Sequence, residues 1–283
     1  MIDANQIANR LTLRKYPHSW RGDCPNCSYH AAFAVKVSKA GYPRLFCSNG
    51  CTAEELTAEV GRILGGGLVI KKADPLSTEE DRARKREASA RLWSGSSLTG
   101  LHHRYLAARG LPGLATSSAL RFRGDCPHPE GKRHPAMVAL VQDATGAQIG
   151  AHRTYLRQDG SGKADIEPAK ASLGPIWGGA IRLDPVAAEI VIGEGIETSA
   201  SAGILLGLPA WAAISAGNLG QALILPDEVR SVVIAADNDG PGEREAMNAA
   251  RRWHAEGRKV RIARTGRAGV DFNDILMEGM HHA

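Results

Sequence analysis

The chain has 283 residues, a net charge of +5 and 43% hydrophobic residues, enough for one large domain or two to three small ones with separate cores. No apolar run is long enough to cross a bilayer, and the polar start MIDANQIANR lacks the apolar stretch of a secretory signal, so a soluble cytoplasmic protein is expected. Lys and Arg outnumber Asp and Glu over the first two thirds, and the last third is acidic; a basic body suits a polyanion and an acidic cluster suits divalent cations, although solubility alone accounts for either.

Residues 1–64 read as a first unit built around four cysteines, spaced Cys24-x2-Cys27-x19-Cys47-x3-Cys51. Each close pair suits a tight knuckle offering two thiolates to one tetrahedral Zn²⁺, and the alternating segment between the pairs predicts a hairpin with its turn at Ala40–Gly41, the layout of a zinc ribbon. Four soft ligands leave no open position, so such a metal is structural; the plain alternative is four free thiols in a small core. His30 reads as a neighbour, and Cys126 as a buried or incidental thiol. TAEELTAEVGRIL (52–64) predicts a helix capped by Thr52 with Glu55 completing a capping box.

Residues 65–78, with three glycines and then charge and proline, read as a linker. A basic α+β part is expected over 79–187. It opens on a charged helix over 77–95, capped by Ser77 or Thr78. A helix over 100–113 ends at Gly110 and Pro112. A hairpin over 134–156 turns at Ala144–Gly146. From 188 to 283 strands alternate with helices: AEIVIGEG, ETSASAGILLG, AWAAIS, SVVIAADND, GEREAMNAARRWHAEG and KVRIAR. Short apolar strands between helices predict a mostly parallel, Rossmann-like sheet covered on both faces, an α/β fold.

In such a sheet functional groups gather beyond the carboxyl ends of the strands. Glu194 lies there after one strand, and Asp237 and Asp239 after a later one; residues two apart in an extended segment point the same way. Three carboxylates at one rim repel unless a divalent cation neutralises them, and oxygen-only ligands favour Mg²⁺ or Mn²⁺. The alternative is a set of solvated acids that never meet. Gly193 and Gly195 then read as room for backbone and substrate beside Glu194. Glu197 reads first as an acid in a helix's first turn and second as an outer partner of a metal. Three phosphate or calcium motifs fail: GEGIET has Thr198 in place of the last dinucleotide-loop glycine, the loop from Asp237 has Asn248 at its twelfth position, and DGSGKAD has Ala164 where a P-loop needs Ser or Thr.

VIGEGIET and VVIAADNDGPG together resemble the signature of the Toprim fold, shared by DnaG-type primases, topoisomerases, some nucleases and recombination mediators. RYLAARGL (104–111) resembles the segment that opens the DnaG-type polymerase core. The 134–156 hairpin and GKADIEP (162–168) resemble later segments of that core, and DFND (271–274) resembles the acidic end of phage and plasmid Toprim primases. The resemblance implies primer synthesis on a single-stranded DNA template from NTPs or dNTPs, in phage, plasmid or mobile-element replication, beside a separate replicative helicase. It implies Glu194 at the growing 3′ end as base or metal ligand, Asp237 and Asp239 as holders of Mg²⁺, and Asp271 and Asp274 as added ligands or support. Arg153 would grip a triphosphate or template phosphate; Lys163 is a second candidate, with a solvated loop lysine as its plain alternative. Two other classes stay open: a Toprim topoisomerase, whose DNA relaxation would need a nucleophile from Tyr16, Tyr29, Tyr42, Tyr105 or Tyr155, or a Toprim nuclease, whose ATPase-linked kind would need a partner with a P-loop; and a non-catalytic recombination mediator, which also pairs four cysteines with Toprim.

Overall fold

The computed structural model describes residues 3–17, 19–37, 42–65, 79–236, 240–267 and 269–281. They fall into two compact units, Met1–Thr78 with Pro129–Gly131, and Glu79–His128 with Lys132–Ala283. No helix among the described residues is long and apolar enough to cross a membrane.

In the first unit, α1 (Ala4–Arg10) precedes the strands β1 (Arg14–Tyr16), β2 (Ser19–Gly22), β3 (Phe33–Val37) and β4 (Pro43–Cys47), and α2 (Ala53–Ile63) comes after them. The strands form an antiparallel sheet in chain order. The predicted β3–β4 hairpin is present, with its turn outside the described residues; β1 and β2 add to it. Both helices begin with reciprocal caps. Asp3 and Gln6 exchange backbone–side-chain hydrogen bonds at α1, and Thr52 and Glu55 do so at α2 as expected. Ile7, Phe33, Val35, Leu56 and Val60 make the small core.

The second unit opens with α3 (Glu79–Ser94) and α4 (Leu101–Ala108), then a single 3₁₀ turn at Pro112–Thr116. The residues proposed as the α3 cap lie outside the described residues. An antiparallel sheet comes next: β5 (Leu120–Pro127), β6 (Arg133–Gln142), β7 (Gln148–Tyr155) and β8 (Lys170–Leu173), paired in that order. The strand β6 shows why its sequence reads as almost continuously apolar. Its Met137, Ala139 and Val141 enter one core with Tyr105 and Leu106 of α4, while Ala136 and Val138 enter another with Leu92 of α3. A period-2 pattern that buries both faces leaves few polar positions.

The third sheet holds β9 (Ile181–Arg182), β10 (Glu189–Gly193), β11 (Ala210–Ala212), β12 (Ser231–Ala235) and β13 (Lys259–Ala263), in spatial order β13-β12-β10-β11-β9. All pairings are parallel except that of β9. The helices are α5 (Ile196–Leu206), α6 (Gly240–Ala255) and α7 (Phe272–His281), with a π-helical turn at Asn218–Ala222. Along β10 and β12, Val191, Val233 and Ala235 face the core shared with α5 and α7, and Ile190, Ile192, Val232 and Ile234 face Trp253, Ala246 and Ala249 of α6. The fold is therefore the expected α/β class: a mostly parallel sheet covered on both faces, preceded by an α+β part and a four-cysteine unit.

Candidate active site

The chain leaves β10 through α5 to reach β11 on one side, and leaves β12 through α6 to reach β13 on the other. Helices that depart in opposite directions from neighbouring parallel strands open a crevice at the carboxyl ends of those strands. Gly193 pairs with Ala235 at that edge, so the two strands end level. Glu194 is the next residue after β10. Asp237 and Asp239, the acids expected opposite it, lie outside the described residues.

The backbone around Glu194 is tightly held. The Ser199 hydroxyl accepts from the Gly193 amide at 3.1 Å and donates to the Gly195 carbonyl at 2.6 Å, bracketing Glu194 from both sides. Ala213 and Ile214 donate their amides to the carbonyls of Gly193 and Glu194, each at 2.8 Å. Ile214 adopts φ +77° to do so, a left-handed conformation that costs a β-branched residue on the order of 1–3 kcal/mol and concentrates at functional sites. The glycines divide. A Cβ on Gly193 would lie 2.9 Å from Ser199 Oγ and 3.4 Å from the Ser199 backbone, so this glycine makes room for the close approach of α5 to β10, the backbone half of the role expected for it. A Cβ on Gly195 would make ordinary contact with Glu197 Oε2 at 3.7 Å and Thr198 Oγ1 at 3.9 Å.

Glu194 lines a small cavity with His152, Thr154, Lys170, Ile181, Gly195, Ile196, Glu197 and Ile214. Glu197 is in the first turn of α5, as expected, but it is 7% exposed. The Tyr105 hydroxyl donates to its Oε1, and Lys163 Nζ lies 3.3 Å from the same oxygen. Burial alone would raise the pKa of Glu197; the charges of Lys170 and Lys163 and the Tyr105 hydrogen bond outweigh it and hold the carboxyl at about 2. Burial pushes the Tyr105 phenol up, with the Glu197 charge adding to it, and pulls Lys163 down against the pull of its carboxylate. Buried His152, whose Nδ1 lies 3.0 Å from Ser172 Oγ, is held down to about 3 by desolvation. Lys163 is thus a paired, mostly buried lysine and not a solvated one.

In the first unit Cys24, Cys27, Cys47 and Cys51 place their Sγ atoms within 4.8 Å of one another. Cys24 and Cys51 are 3.8 Å apart, and Cys27 and Cys47 are 3.7 Å apart. Four thiolates on a tetrahedron about 2.3 Å from a shared Zn²⁺ stand about 3.8 Å apart, so the donor set fits a structural zinc. The Asn49 amide and side chain donate to the sulfurs of Cys47 and Cys27, the kind of outer support that metal thiolates carry. The thiols' acidities show the crowding. Hydrogen bonding with Cys47 draws Cys24 down to about 5, while burial pushes Cys27 up and Cys51 up to about 12, and the Cys24 hydrogen bond with burial pushes Cys47 up. One charge is tolerated; four require a cation. His30 pairs with Asp23 instead, and Cys126 is buried in the α3-side core.

Residues 189–281 match a family model described as a Toprim domain. The chain carries a Toprim domain. Residues 83–183 match a second model, described as a domain of unknown function (DUF7146). No curated protein matches the chain in sequence. Among solved structures, the zinc-binding and RNA polymerase domains of the Aquifex aeolicus primase align at 16% identity and TM-score 0.50, over 98% of this chain and 80% of that one; at this identity the likeness is one of fold. The primase fragment of the bacteriophage T7 primase-helicase aligns at 16% identity and TM-score 0.44, over 94% of this chain and 97% of that one.

Within the Toprim domain the DFND segment fastens α7. Asp271 and Asp274 each accept the other's backbone amide, at 2.9 and 3.0 Å, a capping box at the start of α7, and neither lines the cavity beside Glu194. Asn273 between them is buried and donates its side-chain amide to the Arg109 carbonyl at 2.7 Å and to Ser201 Oγ at 3.0 Å. Arg153 is buried, and its three guanidinium nitrogens donate to the carbonyls of Ala171, Pro127 and Ser172. Its charge serves the antiparallel sheet, which corrects the expected phosphate contact. The sequence reading missed Lys170, Ser199 and Asn273 as site-forming residues and named Tyr105 only as a possible nucleophile. Tyr105 and Asn273 sit inside segments already singled out, but nothing in a linear pattern marks a side chain whose partner is 92 or 164 residues away.

Proposed function

We propose that the chain is a primase: it joins nucleotides into short primers on single-stranded DNA. The observation that carries this reading is Glu194 at the switch point of a Toprim sheet, its backbone held on both sides, facing a cavity that also holds Lys170 and His152. The fold shared with the Aquifex aeolicus primase supports it. Glu194, Asp237 and Asp239 would supply oxygen donors only, the ligand type suited to Mg²⁺ or Mn²⁺, which when bound would neutralise the triphosphate and make the primer 3′-hydroxyl more acidic. Glu194 accepts that hydroxyl's proton or holds a cation. Lys163 and Lys170 offset triphosphate charge, and position and charge carry the step. The four-cysteine unit selects the start site, and basic segments over 1–123 track the template backbone. Asp271 and Asp274 lend outer support through the cap of α7. NTPs or dNTPs are the substrates; a replicative helicase is a separate partner, in phage, plasmid or mobile-element replication.

A tyrosine-based strand-cutting reaction finds less support. Tyr105 and Tyr155 are fully buried, and their hydroxyls donate to Glu197 and to the Pro127 carbonyl. The test is incubation with labelled NTPs or dNTPs, single-stranded template and Mg²⁺ or Mn²⁺. New short chains that vanish in Asp237→Ala and Glu194→Gln support the reading. Cleaved or relaxed DNA indicates the nuclease or topoisomerase class; bound but unchanged DNA indicates a recombination mediator. Primers at the wild-type rate from Asp237→Ala would refute the metal site.

A further inference from the structure

Three segments far apart in sequence meet at one carboxylate. Tyr105 comes from RYLAARGL, Lys163 from GKADIEP and Glu197 from GEGIET; the tyrosine hydroxyl and the lysine ammonium share Glu197 Oε1. The first two belong to the 83–183 segment and the third to the Toprim domain. Primer synthesis gives Glu197 no chemical step of its own. The helix dipole alone does not explain it either, because an exposed acid in a first turn collects that benefit without burial. Glu197 is instead buried, and it lines the cavity that holds Glu194. The Lys163 backbone is held as well: Arg157 and Asp165 pair at 3.1 Å across its loop, and the next amide, Ala164, donates to the Tyr155 carbonyl at 2.9 Å. A lysine is a point charge on a flexible stem, and a buried counter-ion selects one of its many rotamers.

We propose that Glu197 is a positioning residue: it holds the Lys163 ammonium and the Tyr105 hydroxyl in place beside the Glu194 cavity, so that the 83–183 segment presents its cation to the triphosphate from a set direction. What Lys163 contacts rests on the primase reading; that Glu197 acts through Lys163 is the new claim. It also gives the segment of unknown function a task, to complete the Toprim site with a lysine that the Toprim domain orients.

The test is a double-mutant cycle of Glu197→Gln and Lys163→Met, both nearly isosteric. Each is measured by KM and kcat in primer synthesis, by affinity for a fluorescent ATP analogue with Mg²⁺, by affinity for single-stranded DNA and by thermal midpoint. Each single variant is expected to raise KM and the analogue's Kd on the order of tenfold, the scale of a misplaced binding group, with DNA affinity unchanged and the double variant no worse than either single. Wild-type KM and Kd in folded Glu197→Gln, or losses that multiply in the double variant, would overturn the proposal. Tyr105→Phe keeps the ring and its packing while loosening the same carboxylate. It is expected to raise KM several-fold, and it decides the matter if Glu197→Gln does not fold: an unchanged KM overturns the proposal. A wild-type chain that binds the analogue but makes no primer overturns the primase reading alone, and the affinity cycle still decides this one. A chain that binds no nucleotide overturns both.

Discussion

Replacing Glu197 by Gln should change how stability responds to acid, whatever the chain's activity. The carboxyl is held at about 2 in the folded protein, against about 4.3 in an unfolded chain. Two units at 1.36 kcal/mol each give about 3 kcal/mol of stability linked to this one ionisation. Because the folded value is the lower one, that stability is fully present above about pH 5 and is lost as pH falls toward 2, with about 2 kcal/mol gone by pH 3. Gln keeps the shape and an acceptor for Tyr105 but has no proton to bind. Urea unfolding of both proteins, monitored by far-UV circular dichroism from pH 7 to pH 3, should therefore give a wild-type advantage that shrinks by about 2 kcal/mol. Acid-sensitive groups that do not feel the Glu197 charge are common to both proteins and cancel in the difference; His152, whose pKa that charge raises, is the exception. Parallel profiles from pH 7 to pH 3 would show that Lys163, Lys170 and Tyr105 do not hold the carboxylate, and would refute the electrostatic account of the site.

The same geometry sets further outcomes. His152→Gln should flatten the loss of stability between about pH 6.5 and pH 3, because the buried ring is held down to about 3 and the unfolded chain takes up its proton earlier; a slope unchanged from wild type would show that the ring is solvated. Cys47→Ser should abolish bound zinc measured by atomic absorption and unfold the first unit, since three ligands and an open position no longer make a closed structural site; full zinc occupancy in this variant would exclude the cluster as the site. Asp271→Ala should destabilise the Toprim domain by about 1 kcal/mol while Asp271→Asn stays within about half of that, because Asn also caps; equal losses in the two variants would shift the role from cap to charge. Ser199→Ala leaves the buried Gly193 amide without its acceptor and should cost about 1–3 kcal/mol, read from the denaturation midpoint; a change under about half a kcal/mol would show that Gly193 finds another partner.

Local chemistry was enough for much of the molecule. The four-cysteine spacing led to a cluster that forms as expected, because ligands three or four residues apart reach one centre with little help from the rest of the chain. The Thr52–Glu55 cap was readable because both of its bonds close within four residues. The Asp3–Gln6 cap escaped notice with no apolar run beside it to mark a helix. Runs such as AEIVIG and SVVIAA announced buried parallel strands, and the glutamate after the first of them pointed to the crevice. The one-dimensional reading erred where a side chain's partner is distant. Arg153 looked like a cation waiting for phosphate, yet it donates to carbonyls from three places. Gly193 read as room for backbone and substrate alike, and the partner that takes up that room is Ser199, six residues on.

By itself, then, the sequence determined which elements form, where a metal-binding cluster sits and which acid stands at a strand end, because each depends on neighbours within one turn, one pleat or one knuckle. Only the tertiary structure decided what the charges do. Lys163, Tyr105 and Glu197 are separated by 34 to 92 residues yet share one buried oxygen, and Asn273 bonds residues 72 and 164 positions away. Whether a charged group is a free hand for a ligand or a held part of the frame depends on what the fold brings against it and on how much water it excludes, and neither is written at the position of the residue itself.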